Sequence, residues 1–168
     1  MNIILIGFMG SGKSTVGKDL ASKLQWSFVD SDAWIEAQAG ASISQIFESE
    51  GESGFRAWEQ RFVHQLDNTR GIIACGGGLP CFNDLMVELK QKGTVVYLKA
   101  SVETLVDRLK FEREDRPLLS LVSDAEFAQE ITIRLEGREP VYLQADLTIE
   151  TDGKTTSEIV NEVVALIP

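Results

Sequence analysis

Histidine and cysteine are nearly missing from this 168-residue chain, which has one His, His64, and two Cys, Cys75 and Cys81. So few ligands exclude a zinc site of the usual Cys/His kind and a disulfide framework. The thiols read as reduced, as in a cytoplasmic compartment. No apolar run approaches the roughly 20 residues of a membrane-spanning helix. Met1–Ile6 lacks the basic start and long apolar stretch of a signal peptide. Basic residues are also short, 16 Lys and Arg against 26 Asp and Glu, for a net charge of −10. That balance excludes a general nucleic-acid binder, which needs a basic face, and argues against docking on an anionic membrane. The expected location is cytoplasmic, with small molecules as partners. An anionic substrate would have to be captured by a few placed cations against the overall field. Repeats and low-complexity segments are absent too. With 43% apolar and 25% charged residues, the chain reads as one domain, 1–168, with a core large enough to need no disulfide or metal.

What is present is an alternation of short apolar runs with helical patterns, the mark of an α/β protein with a parallel sheet. The expected strands are Ile3–Ile6, Ser27–Val29, Ile72–Cys75, Thr94–Leu98 and Leu147–Ile149. Their near-continuous apolar character suits strands buried on both faces. Helices are expected over Ser14–Leu24, from Ser42-Ile43-Ser44-Gln45 toward Ser49, over Gly54–Leu66 and over Val102–Phe111. A further one over Phe127–Leu143 would be interrupted by Gly137 and Pro140, and another would start at Thr155-Thr156-Ser157-Glu158. Both Ser42–Gln45 and Thr155–Glu158 are capping boxes. Glu112–Asp124, polar at its start and holding Pro117, reads as a mobile lid within the single domain.

Gly7-Phe8-Met9-Gly10-Ser11-Gly12-Lys13-Ser14 matches G-x-x-x-x-G-K-[ST] in full, with an apolar strand before it and a helix after it. Glycines let successive backbone N–H groups turn inward as an anion nest, and the helix N-terminus adds partial positive charge. Gly10, Ser11, Gly12, Lys13, Ser14 and Thr15 are therefore the expected ATP-phosphate contacts. Lys13 would reach the β- and γ-phosphates, and the Ser14 hydroxyl would ligate Mg²⁺. Such a loop makes a nucleotide site without choosing the acceptor.

The acceptor side must come from elsewhere. Asp30 and Asp32 end the second strand, the edge where open α/β sheets bind ligands. A carboxylate there can orient an acceptor hydroxyl and take its proton, or hold a water of the Mg²⁺ shell. One of the two is expected to cap the following helix and the other to act, with Asp32 the candidate. Phe55-Arg56 opens an apolar helix with a cation. Gly76-Gly77-Gly78 ends the third strand, where side chains would block close approach to the backbone. Arg116 lies just before Pro117 in the lid segment. Planar guanidinium groups grip carboxylates with two parallel hydrogen bonds, which lysine cannot do. Arg61, Arg70, Arg113 and Arg134 read as solvated surface groups, His64 as a surface or core-edge residue, Trp58 as core, Cys75 as an inert buried residue and Cys81 as a loop thiol open to reaction.

Taken together, Gly7–Ser14, Asp30-Ser31-Asp32, Phe55-Arg56, Gly76–Gly78, Arg116-Pro117-Leu118-Leu119, and Arg138 with Pro140 and Tyr142 resemble the shikimate kinase family over essentially the whole chain. The resemblance implies a three-layer α/β/α fold with a five-stranded parallel sheet, a P-loop kinase with a mobile lid at about residues 112–124. It implies ATP with Mg²⁺ and transfer to the 3-hydroxyl of shikimate, giving shikimate 3-phosphate and ADP on the way to chorismate and aromatic amino acids. It implies a monomer. Asp32 resembles the residue at the acceptor hydroxyls and is the candidate base. Arg56 and Arg138 resemble the pair on the shikimate carboxylate, Gly77 and Gly78 the backbone against the ring, and Arg116 the lid arginine on the ATP phosphates. Lys13, Asp32 and Arg116 are thus the catalytic candidates, and Arg108 is assigned to the adenine side. The chain departs from the pattern at Cys75, at Leu79-Pro80-Cys81-Phe82 and at Gly153, where some relatives carry an adenine-side arginine. Gluconate or nucleotide kinases of the same fold, and a non-catalytic nucleotide-binding relative, are the competing readings.

Overall fold

Asn2–Ile6 (β1) is buried throughout, and its side chains alternate between two cores, as the period of a strand requires. Ile4 and Ile6 face one, Ile3 and Leu5 the other. The computed structural model describes residues 1–110 and 123–167. After β1 the chain forms α1 (Lys13–Leu24), β2 (Ser27–Asp30), α2 (Ser31–Ala39), α3 (Ile43–Gln65), β3 (Gly71–Ala74) and a 3-10 turn at Leu79–Cys81. It continues through α4 (Leu85–Lys92), β4 (Gly93–Lys99), α5 (Val102–Lys110), α6 (Asp124–Tyr142), β5 (Leu147–Glu150) and α7 (Thr156–Leu166). The five strands are all parallel, in the order β2-β3-β1-β4-β5. Val16 and Leu20 of α1 and Ile159, Val160 and Val163 of α7 cover one face of the sheet. Helices α3 to α6 cover the other, through Phe62, Leu89, Leu105, Phe127, Ile131 and Tyr142 among others. The expected three-layer α/β/α arrangement is therefore present. The strand order reverses direction beside β1, which opens a crevice at the carboxyl ends of β1 and β3.

Burial on both faces holds for β1, β3 and most of β4. It does not hold for β2 and β5, which are edge strands with one flank to solvent. The two helices expected around Ser42–Ser49 and Gly54–Leu66 are both present within α3, divided at a kink by Gly51, whose φ of 70° and ψ of −174° are not helical. α6 is unbroken from Asp124, against the expected interruption at Gly137 and Pro140. Pro140 lies close to the C-terminal end of α6, where it removes one helical N–H···O=C bond without ending the helix, and a capping box of Ser123 with Glu126 starts it. α4 has no counterpart in the sequence reading. The lid expected at about 112–124, and Arg116 with it, lies outside the described residues apart from Ser123 and Asp124, which belong to the start of α6. Among the described residues no helix is long and apolar enough to cross a membrane.

Candidate active site

The loop after β1 turns on glycines: Gly10 and Gly12 have φ of 80° and 96°, left-handed values that a side chain resists. The turn brings the Lys13 ammonium back over the loop, where it donates to the carbonyls of Gly7 and Phe8, each at 2.8 Å. Lys13 is only 9% exposed. The Ser14 hydroxyl donates to Asp30 Oδ2 at 2.7 Å.

Of the two aspartates after β2, Asp30 is the helix cap. Its Oδ1 accepts from the backbone N–H of Asp32 at 3.0 Å and of Ala33 at 3.3 Å. Asp32 is left in the first turn of α2 with its carboxylate facing the crevice. Burial pushes its pKa upward, the charge of Asp30 adds to that, and Lys13 opposes it.

A cleft of about 260 Å³ joins these residues to the far wall, with Lys13, Asp32, Arg56, Glu59, Gly77 and Arg138 in its lining. Asp30, Gly76 and Gly78 line it too. The glycine run now has a steric reason. A β-carbon at Gly76 would lie 2.6 Å from Asp32 Oδ1, and one at Gly77 would lie 3.4 Å from Arg138 Nη1. At Gly78 it would lie 2.8 Å from Arg56 Nη1. Bare backbone at Gly76 and Gly78 lets Asp32 and Arg56 approach this closely, whereas at Gly77 the nearest atom is Met9 N at 3.3 Å and Arg138 is in ordinary contact. Two hydroxyls hold that backbone: Ser31 Oγ accepts from the Gly76 N–H at 2.7 Å, and Tyr142 Oη donates to the Gly77 carbonyl at 2.5 Å.

Arg56 donates to Glu59 Oε2 at 2.6 Å and to Glu52 Oε1 at 3.3 Å. Glu59 is 1% exposed. Burial pushes its carboxyl up to about 7, against the pull of the Arg56 hydrogen bond and charge. Glu59 was missed in the sequence, although it stands at i+4 from Phe55 on the apolar face of α3, where a charge is out of place. An unfolded glutamate ionises near pH 4.3, so between there and 7 the folded chain holds one proton more. Stability contributed by the neutral form is therefore lost as pH rises through that window. Glu59→Gln should flatten this: the melting temperature of the variant, relative to the unsubstituted protein, is expected to climb from pH 4.5 to 7.5. Parallel profiles would show that Glu59 ionises in the folded state like an exposed acid.

A second cleft, of about 360 Å³, meets the first at Gly10 and is lined by Ser11, Gly12, Thr15, Arg108 and Lys154. Arg108 Nη1 donates to the Gly10 carbonyl at 3.1 Å. Lys154 also pairs with Glu162 at 2.5 Å. The remaining residues sort as follows. His64 is exposed and pairs with Glu88 at 3.1 Å. Trp34 packs on Phe62 away from the cleft, with ring centroids 5.4 Å apart. Trp58 is only half-buried, not core, and donates to Glu50 at 3.2 Å. Cys75 is buried, with its thiol pushed up by burial. Cys81 is pushed up likewise, which disfavours the thiolate that reactivity at a loop cysteine requires.

A phosphate loop between two clefts, one floored by the loop and one walled by carboxylates and arginines, defines a P-loop kinase acting on a small molecule. A model of the shikimate kinase family matches residues 9–168. Curated shikimate kinases from Persephonella marina and a Sulfurihydrogenibium species are 42% and 44% identical, each over 99% of this chain and over 98% and 97% of their own lengths. The solved shikimate kinase of Bacteroides thetaiotaomicron superposes with a TM-score of 0.91 at 33% identity, over 99% of this chain and 97% of that one. The Acinetobacter baumannii enzyme, solved in complex with shikimate, gives 0.86 at 38% identity, over 98% and 91%. A gluconokinase and a deoxyadenosine kinase share the fold alone, each at a TM-score of 0.62 with 18% and 16% identity. The chain belongs to the shikimate kinase family.

Proposed function

We propose that the protein transfers the γ-phosphoryl group of ATP to the 3-hydroxyl of shikimate, releasing ADP and shikimate 3-phosphate. The observation that carries this is the convergence of Asp32, Arg56 and Arg138 on one small cleft beside Lys13. A polyol acid has little apolar surface, so its recognition must come from guanidinium groups on the carboxylate and an acid on the hydroxyls. Arg56 and Arg138 are assigned to the carboxylate, Gly77 and Gly78 to the ring, and Asp32 to the hydroxyl that attacks. The second cleft suits the nucleotide, with Gly10 to Thr15 on the phosphates and Arg108 and Lys154 on the adenine side. Arg116 is assigned to the phosphates, on a lid at about residues 112–124 that would exclude water. A single-domain monomer in the cytoplasm is the reading that goes with this.

The Ser14 hydroxyl and the Asp30 and Asp32 carboxylates are hard oxygen donors, which fits Mg²⁺. No cluster of three or more His, Cys, Asp or Glu among the described residues could hold a metal by itself. Ser14, with Asp30 and Asp32 nearby, would hold Mg²⁺ together with the nucleotide. There it would neutralise charge on the β- and γ-phosphates.

An acceptor panel with ATP tests the assignment. ADP release matched by phosphorylation of shikimate, with none on gluconate or nucleosides, is expected; faster transfer to either of those would overturn it. The glycine run gives a sharper check. Gly78 has φ −84° and ψ −21°, which alanine adopts freely. The methyl of Gly78→Ala therefore meets first the Arg56 guanidinium, which Glu59 pins. The fold should survive, and the shikimate KM should rise about tenfold through loss of one charge-assisted contact, with the ATP KM unchanged. A shikimate KM like that of the unsubstituted protein would show that Arg56 does not hold the acid.

A further inference from the structure

Arg56 is fixed on its flat face as well as at its edges. Its Cζ lies 3.7 Å from the centroid of the Phe82 ring, close enough for direct stacking, whereas the Phe55 ring is 5.4 Å away. Glu59 and Glu52 take its edges, and the Gly78 backbone closes beside it. Phe82 is half-buried, yet it belongs to none of the apolar clusters that the described residues form. Its partner is the guanidinium, not the core.

The backbone around Phe82 is built to hold it there. The 3-10 turn at Leu79–Cys81 closes with the Cys81 N–H on the Gly78 carbonyl at 2.9 Å. Phe82 itself is extended, and Asn83 and Asp84 follow with φ of 53° and 56°. Two successive left-handed residues without glycine are unusual, and Asn and Asp are the side chains that tolerate them best. They reverse the chain so that the Leu85 N–H bonds back to the Phe82 carbonyl at 3.1 Å, while Leu85 anchors the start of α4 in the core.

We propose that Phe82 is a positioning residue for acceptor recognition: the face of its ring fixes the plane of the Arg56 guanidinium so that the fork meets the carboxylate of the substrate in register. This rests on the shikimate reading above. A cation over an aromatic face is attracted by the ring quadrupole, and a stacked arginine keeps its in-plane N–H groups for a second partner. A fork contact with a carboxylate is directional, so an Arg56 free to rotate loses affinity for the acid without altering the phosphate loop.

Phe82→Leu keeps apolar bulk and removes the π face. It is expected to raise the shikimate KM about tenfold, with kcat and the ATP KM within about threefold of the unsubstituted enzyme. Phe82→Tyr should restore the KM. Stepwise fluorination of the Phe82 ring keeps its shape and drains its face of electron density, so the shikimate KM should climb with each fluorine, and this series decides the matter should the leucine variant not fold. An unchanged KM in Phe82→Leu, or a flat response to fluorination, would overturn the proposal. If the unsubstituted protein does not phosphorylate shikimate at all, it is the proposed function that fails, before any variant is measured.

Discussion

Lys13→Ala is expected to lower kcat by about a thousandfold while the protein remains folded. The ammonium is held over the phosphate loop by the Gly7 and Phe8 carbonyls at 2.8 Å each, and Lys13 is only 9% exposed. A cation shielded from water acts more strongly on developing phosphoryl charge than one in bulk solvent. It also needs no reorganisation during the reaction. The charge matters more here because the chain carries a net −10, so nothing in the overall field draws a polyphosphate in. Alanine leaves two loop carbonyls without this donor, which lowers stability modestly if water replaces it. Turnover at saturating ATP and shikimate, read beside the melting temperature, separates the two effects. A kcat within tenfold of the unsubstituted enzyme would remove Lys13 from charge stabilisation and leave it as a brace for the loop.

The parts of the site that were legible in the sequence are those written in local order. The phosphate loop is a contiguous string with a required context. Asp30-x-Asp32 and Gly76–Gly78 sit at strand ends, where a parallel sheet places its ligands. Arg56 and Arg138 could be named only through the resemblance, because an isolated arginine on a helix looks like any solvated one. What was not legible depends on three dimensions. Which aspartate caps α2 is settled by two backbone hydrogen bonds to Asp30, not by spacing. Glu59 reads as an ordinary i+3 partner of Arg56, and only its position on the apolar face of α3 hints that it is buried. Ser31, fully buried under the Gly76 N–H, and Phe82, stacked on Arg56, follow from the crossing of the segment after β3 beside Ser31 of α2 and Arg56 of α3. No local pattern records that crossing. Gly137 and Pro140 misled: each weakens a helix in isolation, and here α6, anchored in the core by Leu135 and Tyr142, runs through both.

Asp32→Asn keeps the shape of the side chain and removes its basicity, and kcat is expected to fall about a hundredfold or more. The environment of the group supports a role for its proton affinity. Burial raises its pKa, the neighbouring Asp30 raises it further, and Lys13 pulls it down. A base works in its ionised form, so activity should be lost as pH falls through this raised value, at a higher pH than an ordinary carboxylate would give. Glu59 titrates near 7 in the same cleft, so an acid limb in the rate profile has two possible owners. Glu59→Gln tells them apart: the limb in kcat should persist in that variant and vanish in Asp32→Asn, whose residual rate should be flat with pH. If Asp32→Asn instead keeps both its rate and its acid limb, the carboxylate is neither base nor orienting group. The proton of the hydroxyl must then leave late, to the transferred phosphoryl oxygens, with Lys13 stabilising the charge that develops there.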